Sequence, residues 1–120
     1  MKGKVFADSA GIINWIPEDP TGDVEGTKLA VNVIEGLLDE QGPSTILVDL
    51  SKAPRPNALQ RQIVINGLQS NFHNITKIAF FGHNALMKAV AYFVINNAGF
   101  QNIRFFANRN QATQWLLEKE

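Results

Sequence analysis

The residues best suited to chemistry are a few polar side chains that follow short apolar runs. Asp49 and Ser51 come at the end of the apolar run 46–50, and His83 follows the next run, 77–82. A carboxylate and an imidazole at one sheet edge could transfer a proton, so a small enzyme using Asp49 and His83 is one hypothesis. The ordinary interpretation is structural, with Asp49 capping a neighbouring loop or helix and His83 capping the helix that follows it.

Two arginines on predicted loops could bind an anionic group. Arg55 lies between two prolines and Arg109 lies between two asparagines. A guanidinium group binds phosphate or carboxylate well, although a solvated surface charge is the ordinary interpretation of each. The chain has two histidines and no cysteine, and no carboxylates stand at a matching spacing. We therefore expect no metal site and no cofactor.

The composition excludes several classes of partner. Eleven basic and eleven acidic residues give a net charge of zero, which provides no field to attract nucleic acid, so we expect no nucleic-acid partner. The longest apolar run, 89–95, is too short to span a bilayer, so we expect no integral membrane segment. A length of 120 residues predicts a single domain, 1–120, and the lack of cysteine is compatible with the cytoplasm.

The elements that must position these residues follow a repeated strand and helix pattern. Apolar runs at 46–50, 77–82 and 103–106 each precede a segment with helical apolar spacing. Such runs are typical of strands buried on both faces of a parallel sheet. Two further strands, 4–8 and 12–16, come first and are joined by a connection short enough for a hairpin. The predicted order is ββαβαβαβα, an α/β fold with a single-layer, mixed, mostly parallel sheet flanked by helices.

Local signals predict where the helices begin and end. Asn57 with Gln60 three residues later is typical of a capping box at the start of the second helix. Gly42 and Pro43 are expected to end the first helix, and Gly99 is expected to end the third. The helical segments are therefore bounded by residues whose chemistry suits those positions.

The order of elements and several segments resemble the SpoIIAA-like branch of the STAS domains. The segments are the Val-Asp-Leu-Ser strand end at 48–51, the strand 77–82, and the strand end 104–106 followed by Ala112, Trp115 and Leu116. The resemblance covers nearly the whole chain. It implies a STAS-like mixed sheet with a binding or regulatory role, generally without catalysis, and this branch is also compared with the Sec14 lipid-binding fold.

One departure from the better-known anti-sigma antagonists concerns regulation. In those proteins the matching strand is followed by an Asp-Ser-Ser/Thr-Gly element whose hydroxyl is phosphorylated at the start of the next helix. Counting forward from Asp49 without gaps places that element on 57–60, whose residues are Asn, Ala, Leu and Gln. We therefore predict that the phosphoserine switch is absent, with Ser51 as a nearby hydroxyl that a shifted alignment could select.

The segment 85–98 is predicted to be a helix that is apolar over most of its circumference, with Lys88 as its single charge. One apolar stripe is expected to cover the sheet and consists of Leu86, Ala89, Val90, Phe93 and Val94. A second stripe lies on an adjacent face and consists of Met87, Ala91, Ile95 and Ala98. The second stripe either packs against a neighbouring helix of the same chain, or forms a homodimer contact, or lines a ligand groove.

These observations favour a non-catalytic STAS-like module that binds a protein partner or a small apolar ligand through the second stripe. A Sec14-like carrier, with a lipid or other amphiphile between helix 85–98 and its neighbour, is the alternative, and an enzyme is the third hypothesis. The candidate binding residues are Met87, Ala91, Ile95, Ala98, Asp49, Ser51, Arg55 and His83.

Overall fold

The fold is an α/β sheet structure in a computed structural model that describes residues 3–18 and 23–118. The described elements are β1 (Gly3–Ala7), β2 (Ile13–Pro17), α1 (Val24–Gln41), β3 (Ser44–Asp49), α2 (Ala58–Asn71), β4 (Ile75–Phe81), α3 (Ala85–Ala98), β5 (Ile103–Phe106) and α4 (Arg109–Leu117). A short 3₁₀ turn, Phe72–Asn74, joins α2 to β4. The predicted order of elements is confirmed.

The five strands form one mixed sheet in the order β1-β2-β3-β4-β5. Strand β1 pairs with β2 in the antiparallel direction, and each later pair is parallel. Consecutive parallel strands are neighbours, and the connections between such strands are right-handed. The three connecting helices α1, α2 and α3 therefore lie on the same face of the sheet.

The two faces of the sheet have separate apolar cores. On the three-helix face, β2, β3 and β4 contribute residues that include Trp15, Val48 and Phe80. On the opposite face, Leu47 and Phe81 belong to a second core with Ala112 and Leu116 of α4. Because successive side chains of a strand point to opposite faces, directly adjacent residues of β3 and β4 enter different cores.

The predicted helix ends are confirmed, with one exception. Asn57 and Gln60 form the capping box of α2, with bonds of 2.8 and 2.9 Å between side chain and backbone. Gly42 and Gly99 follow α1 and α3 with φ angles of 78° and 69°, which glycine adopts without strain. The cap of α3 is Asn84, which accepts a hydrogen bond from the Leu86 N–H at 2.8 Å. The prediction that His83 caps this helix is therefore wrong.

Helix α3 faces the sheet mainly with the second stripe, together with Val94 of the stripe that was predicted to do so. The buried residues of α3 are Met87, Ala91, Val94 and Ala98, whereas Leu86 and Phe93 are each 46% exposed. The two stripes are similarly apolar, so periodicity does not rank them, and the small Ala91 and Ala98 let the helix approach the sheet closely. Since Met87, Ala91 and Ala98 are covered by their own chain, they do not form an exposed homodimer surface, and that interpretation of them is wrong.

Candidate functional site

An apolar pocket of about 80 Å³ lies on the three-helix face, near the carboxyl ends of β2, β3 and β4. Ligands of open α/β sheets commonly bind at this end of the strands. The floor of the pocket is the sheet, its sides are the three helices, and the loop between β3 and α2 borders it. The lining residues are Trp15, Pro17, Thr27, Val48, Leu50, Ala53, Pro54, Pro56, Gln60, Arg61, Val64, Phe80, Met87, Val90, Ala91 and Val94.

The buried polar side chains of the pocket wall bind one another and the backbone. Gln60 is 6% exposed, and its amide nitrogen donates to Thr27 Oγ1 at 3.1 Å and to the Asp23 carbonyl at 3.2 Å. Its amide oxygen accepts the Asn57 N–H at 2.9 Å. The Thr27 hydroxyl in turn donates to the Asp23 carbonyl at 3.3 Å. Because these groups are hydrogen-bonded at low exposure, they fix the walls of the pocket at little desolvation cost.

Arg61 is the one charged side chain in the described lining of the pocket. It is half-buried, and its Nη1 donates to the Pro56 carbonyl at 3.1 Å. The guanidinium carbon lies 5.0 Å from the centre of the Phe93 ring on α3, within the range of a cation–π contact. Arg61 therefore connects the β3–α2 loop to α3 beside the pocket.

The pocket brings together only part of the second stripe that the sequence suggested. Met87 and Ala91 line it, at 4% and 1% exposure. Ile95 is half-buried against the same core, and Ala98 is buried, but neither is among the lining residues. Arg55 is exposed on the loop between two lining prolines.

Asp49 and Ser51 belong to a separate cluster on the α4 side. The Asp49 carboxylate accepts the Ser51 hydroxyl at 2.5 Å, the Ser51 N–H at 2.9 Å and Arg109 Nη2 at 3.0 Å. The Arg109 guanidinium also lies 4.9 Å from the centre of the Phe81 ring. These contacts connect the end of β3 to the start of α4, which is the structural role weighed for Asp49.

His83 does not join this cluster. Within the described residues, no hydrogen bond or ion pair connects Asp49 to His83, so the pairing on which the enzyme hypothesis depends does not form. His83 is exposed and lines a shallow surface groove with Lys88, Tyr92 and Phe105. In the described part of the chain, no group of three or more histidine, aspartate or glutamate residues is placed to hold a metal ion.

Sequence reasoning did not identify several lining residues, chiefly Arg61, Thr27, Trp15 and the prolines of the β3–α2 loop. The capping box was a usable signal, because it places Gln60 and Arg61 in the first turn of α2, at the carboxyl edge of the sheet. The sequence does not single out Arg61, because an arginine in the first turn of a helix has no local feature that separates a ligand contact from a solvated charge.

The sequential mixed sheet, the three helices on one face and the pocket at its carboxyl edge define an α/β binding module of the STAS type. A family model described as SpoIIAA-like matches residues 21–117. The chain belongs to the SpoIIAA-like family, which supports a regulatory or binding role. No curated protein and no solved structure matches the chain. None of the helices in the described residues is long and apolar enough to span a membrane.

Proposed function

We propose that this SpoIIAA-like module works by binding a small ligand, whose apolar part occupies the pocket between α2, α3 and the sheet. The observation that carries the proposal is the cavity itself, since well-packed cores leave few voids larger than a water molecule. A dry apolar cavity binds small apolar molecules. Its position at the carboxyl ends of the strands is the position at which ligands of open α/β sheets bind.

Several residues around the pocket make its borders rigid. Pro54 and Pro56 stiffen the bordering loop, because each ring fixes the φ angle of its residue. The capping box holds the first turn of α2, and Arg61 joins the loop to α3. A pocket with rigid borders loses less conformational entropy when a ligand binds, so ordering the pocket subtracts less from the binding free energy.

The two tryptophans provide a test with an internal control. Trp15 lines the pocket, whereas Trp115 packs against Phe106 on the opposite face. In NMR spectra, 1-pentanol is expected to shift the indole N–H resonance of Trp15 in a saturable way and to leave that of Trp115 in place. Gas-phase mass measurement of gently purified protein would report any ligand that the protein retains.

A pair of variants on α3 tests whether 1-pentanol binds in the pocket. Val90 lines the pocket, so Val90→Phe places a ring in the pocket space and is expected to abolish the Trp15 shift. Ala89→Phe makes a similar change at the adjacent, exposed position and is expected to preserve it. Equal Trp15 shifts in both variants, or no saturable shift in the wild type, would contradict the proposal.

A second candidate function is a homodimer contact through the outer face of α3. It is favoured by three large apolar residues that are 44–46% exposed there, Leu86, Tyr92 and Phe93. A second copy of the chain would cover this face, because exposed apolar patches commonly mark contacts between proteins. This contact would use the face opposite to Met87 and Ala91.

Sedimentation equilibrium tests the homodimer directly. The wild type is expected to have the mass of a dimer at about 100 μM, in the micromolar range of modest interfaces, and Leu86→Glu is expected to sediment as a monomer. Leu117→Glu is the matched control, because Leu117 is a similarly exposed leucine on α4. A monomeric wild type would rule the homodimer out and leave the ligand pocket unaffected.

A further inference from the structure

The charge of the pocket lining is concentrated in one place. Arg61 is positive, and the other fifteen described lining residues are uncharged. A lone, half-buried cation beside apolar side chains attracts an anion more strongly than the same cation on an open surface, because the local dielectric constant is lower. The lining therefore discriminates between ligands by charge as well as by size.

The guanidinium of Arg61 has more N–H donors than its hydrogen bonds within the described residues use. An arginine side chain carries five N–H bonds in a planar fork that matches a carboxylate or phosphate. Within the described residues, one hydrogen bond, to the Pro56 carbonyl, and the stacking contact with Phe93 account for its interactions. The Phe93 contact and the Pro56 bond restrict the rotamers of Arg61, so that less side-chain entropy is lost when an anion binds.

The interior of the pocket offers little to a polar group. Thr27 and Gln60 already bond to each other and to the Asp23 carbonyl, and the remaining uncharged lining residues are apolar apart from the indole N–H of Trp15. A polar ligand group placed deep in the pocket would lose its hydrogen bonds to water without gaining equivalent hydrogen bonds to the protein. The polar end of a bound ligand is therefore expected to lie beside Arg61.

We propose that the ligand is a small amphiphile with one anionic group, a carboxylate or a phosphate, which Arg61 binds while a short apolar tail fills the pocket. This inference rests on the pocket function proposed above and adds the ligand class and the residue that selects it. The volume of about 80 Å³ is roughly half of the ~150 Å³ that holds benzene in an engineered cavity. The tail that fits is therefore only a few carbon atoms long.

The test compares three unbranched probes that each contain five carbon atoms: pentanoate, pentyl phosphate and 1-pentanol. Affinities are measured from the saturable shift of the Trp15 indole resonance. We expect at least one anion to bind the wild type about tenfold or more tightly than 1-pentanol, since hydrogen bonds between charged groups are stronger than neutral ones. A tighter pentanoate complex assigns the carboxylate, and a tighter pentyl phosphate complex assigns the phosphate.

Variants of Arg61 identify the residue that selects the anion. Arg61→Gln is expected to lose the anion preference, measured as the ratio of anion affinity to 1-pentanol affinity within the same variant, and Arg61→Lys is expected to keep part of that ratio. Arg104→Gln is the matched control, because Arg104 also stacks on an aromatic ring, 5.2 Å from that of Trp115, on the other side of the sheet. Arg104→Gln is expected to keep the full preference.

The outcomes separate this inference from the pocket function. If 1-pentanol binds the wild type as tightly as both anions, or if the anion preference survives in Arg61→Gln, the inference is overturned and the pocket function stands. If no probe shifts the Trp15 resonance, both are overturned. Circular dichroism checks that each variant is folded. If Arg61→Gln is unfolded, the anion preference of the wild type and of Arg61→Lys tests the inference in its place.

Discussion

The two faces of the sheet are built from neighbouring residues but differ in how completely they are filled. On the α4 face, one short helix packs directly on Leu47 and Phe81. On the three-helix face, the adjacent Val48 and Phe80 lie under three helices that leave a pocket between them. The comparison teaches that a face covered by three helices can still leave an apolar pocket against the sheet, whereas the grooves beside Leu116 of α4 lie open at the surface.

The largest expected effect separates the two faces through equivalent truncations of adjacent residues. Phe80→Ala and Phe81→Ala are each expected to lower the free energy of unfolding by about 3–5 kcal/mol, because both remove a buried ring. Phe80→Ala enlarges the pocket, so 1-pentanol is expected to raise its urea midpoint by binding the folded state. Phe81→Ala keeps the wild-type pocket and is expected to show only the smaller rise of the wild type, so a rise as large as that of Phe80→Ala would show that the two faces do not differ as described.

The next effect concerns ion pairs on the two sides of the β3–α2 loop. Asp49→Asn removes the charge that holds Arg109 and Ser51 and is expected to cost about 1–2 kcal/mol in urea unfolding, a value reduced by the exposure of Arg109. Lys52→Gln breaks an exposed pair with Glu18 at 3.6 Å and is expected to cost less than about 0.5 kcal/mol. Equal costs would show that burial of Asp49 adds nothing to the pair.

A smaller effect is expected from the helix caps. Asn57→Ala and Asn108→Ala remove the caps of α2 and α4, which bond to backbone N–H groups at 2.8 and 3.0 Å, and each is expected to cost about 1 kcal/mol. Only Asn57→Ala frees Gln60 of the pocket wall from its capping box. Binding of 1-pentanol is therefore expected to weaken in Asn57→Ala alone, as measured by the Trp15 shift.

The smallest expected effect is a change in stability of opposite sign when each of two helical glycines is replaced by alanine. Gly36→Ala on α1 is expected to stabilise the protein by up to about 1 kcal/mol, because alanine favours helix and nothing lies within 4 Å of the added carbon. At Gly67 on α2 the added carbon would lie 2.9 Å from Val31 Cγ1, so the gain is expected to be cancelled or reversed. Thermal melting of the two variants measures the difference.

The sequence was sufficient for the order of elements and for several helix ends. Strands of a parallel sheet have compact apolar runs, and the Asn57 capping box and Gly99 act through local chemistry, so neighbouring residues alone reveal them. The face of α3 that meets the sheet was not predictable in this way. Its two apolar stripes have nearly equal hydrophobicity, and the choice depends on how closely small residues such as Ala91 let the helix approach.

The candidate site was less accessible from the sequence than the fold. Apolar spacing singles out Met87 and Ala91, and they line the pocket, but as buried wall residues rather than as an exposed contact surface. Arg61 and Thr27 come from different helices, and their meeting depends on how α1 and α2 are placed around the sheet. A relation of that kind is set by tertiary packing, which local patterns do not encode.

The hydrogen bonds of Gln60 have a dynamic consequence. One amide side chain spans the start of α2, the hydroxyl of Thr27 and the backbone at the beginning of α1. Local opening of α1 at this end must therefore break bonds that also hold the first turn of α2. Thr27 lies on α1, whereas Arg61 lies on α2. Deuterium uptake by the Thr27 amide is nevertheless expected to slow when a ligand occupies the pocket.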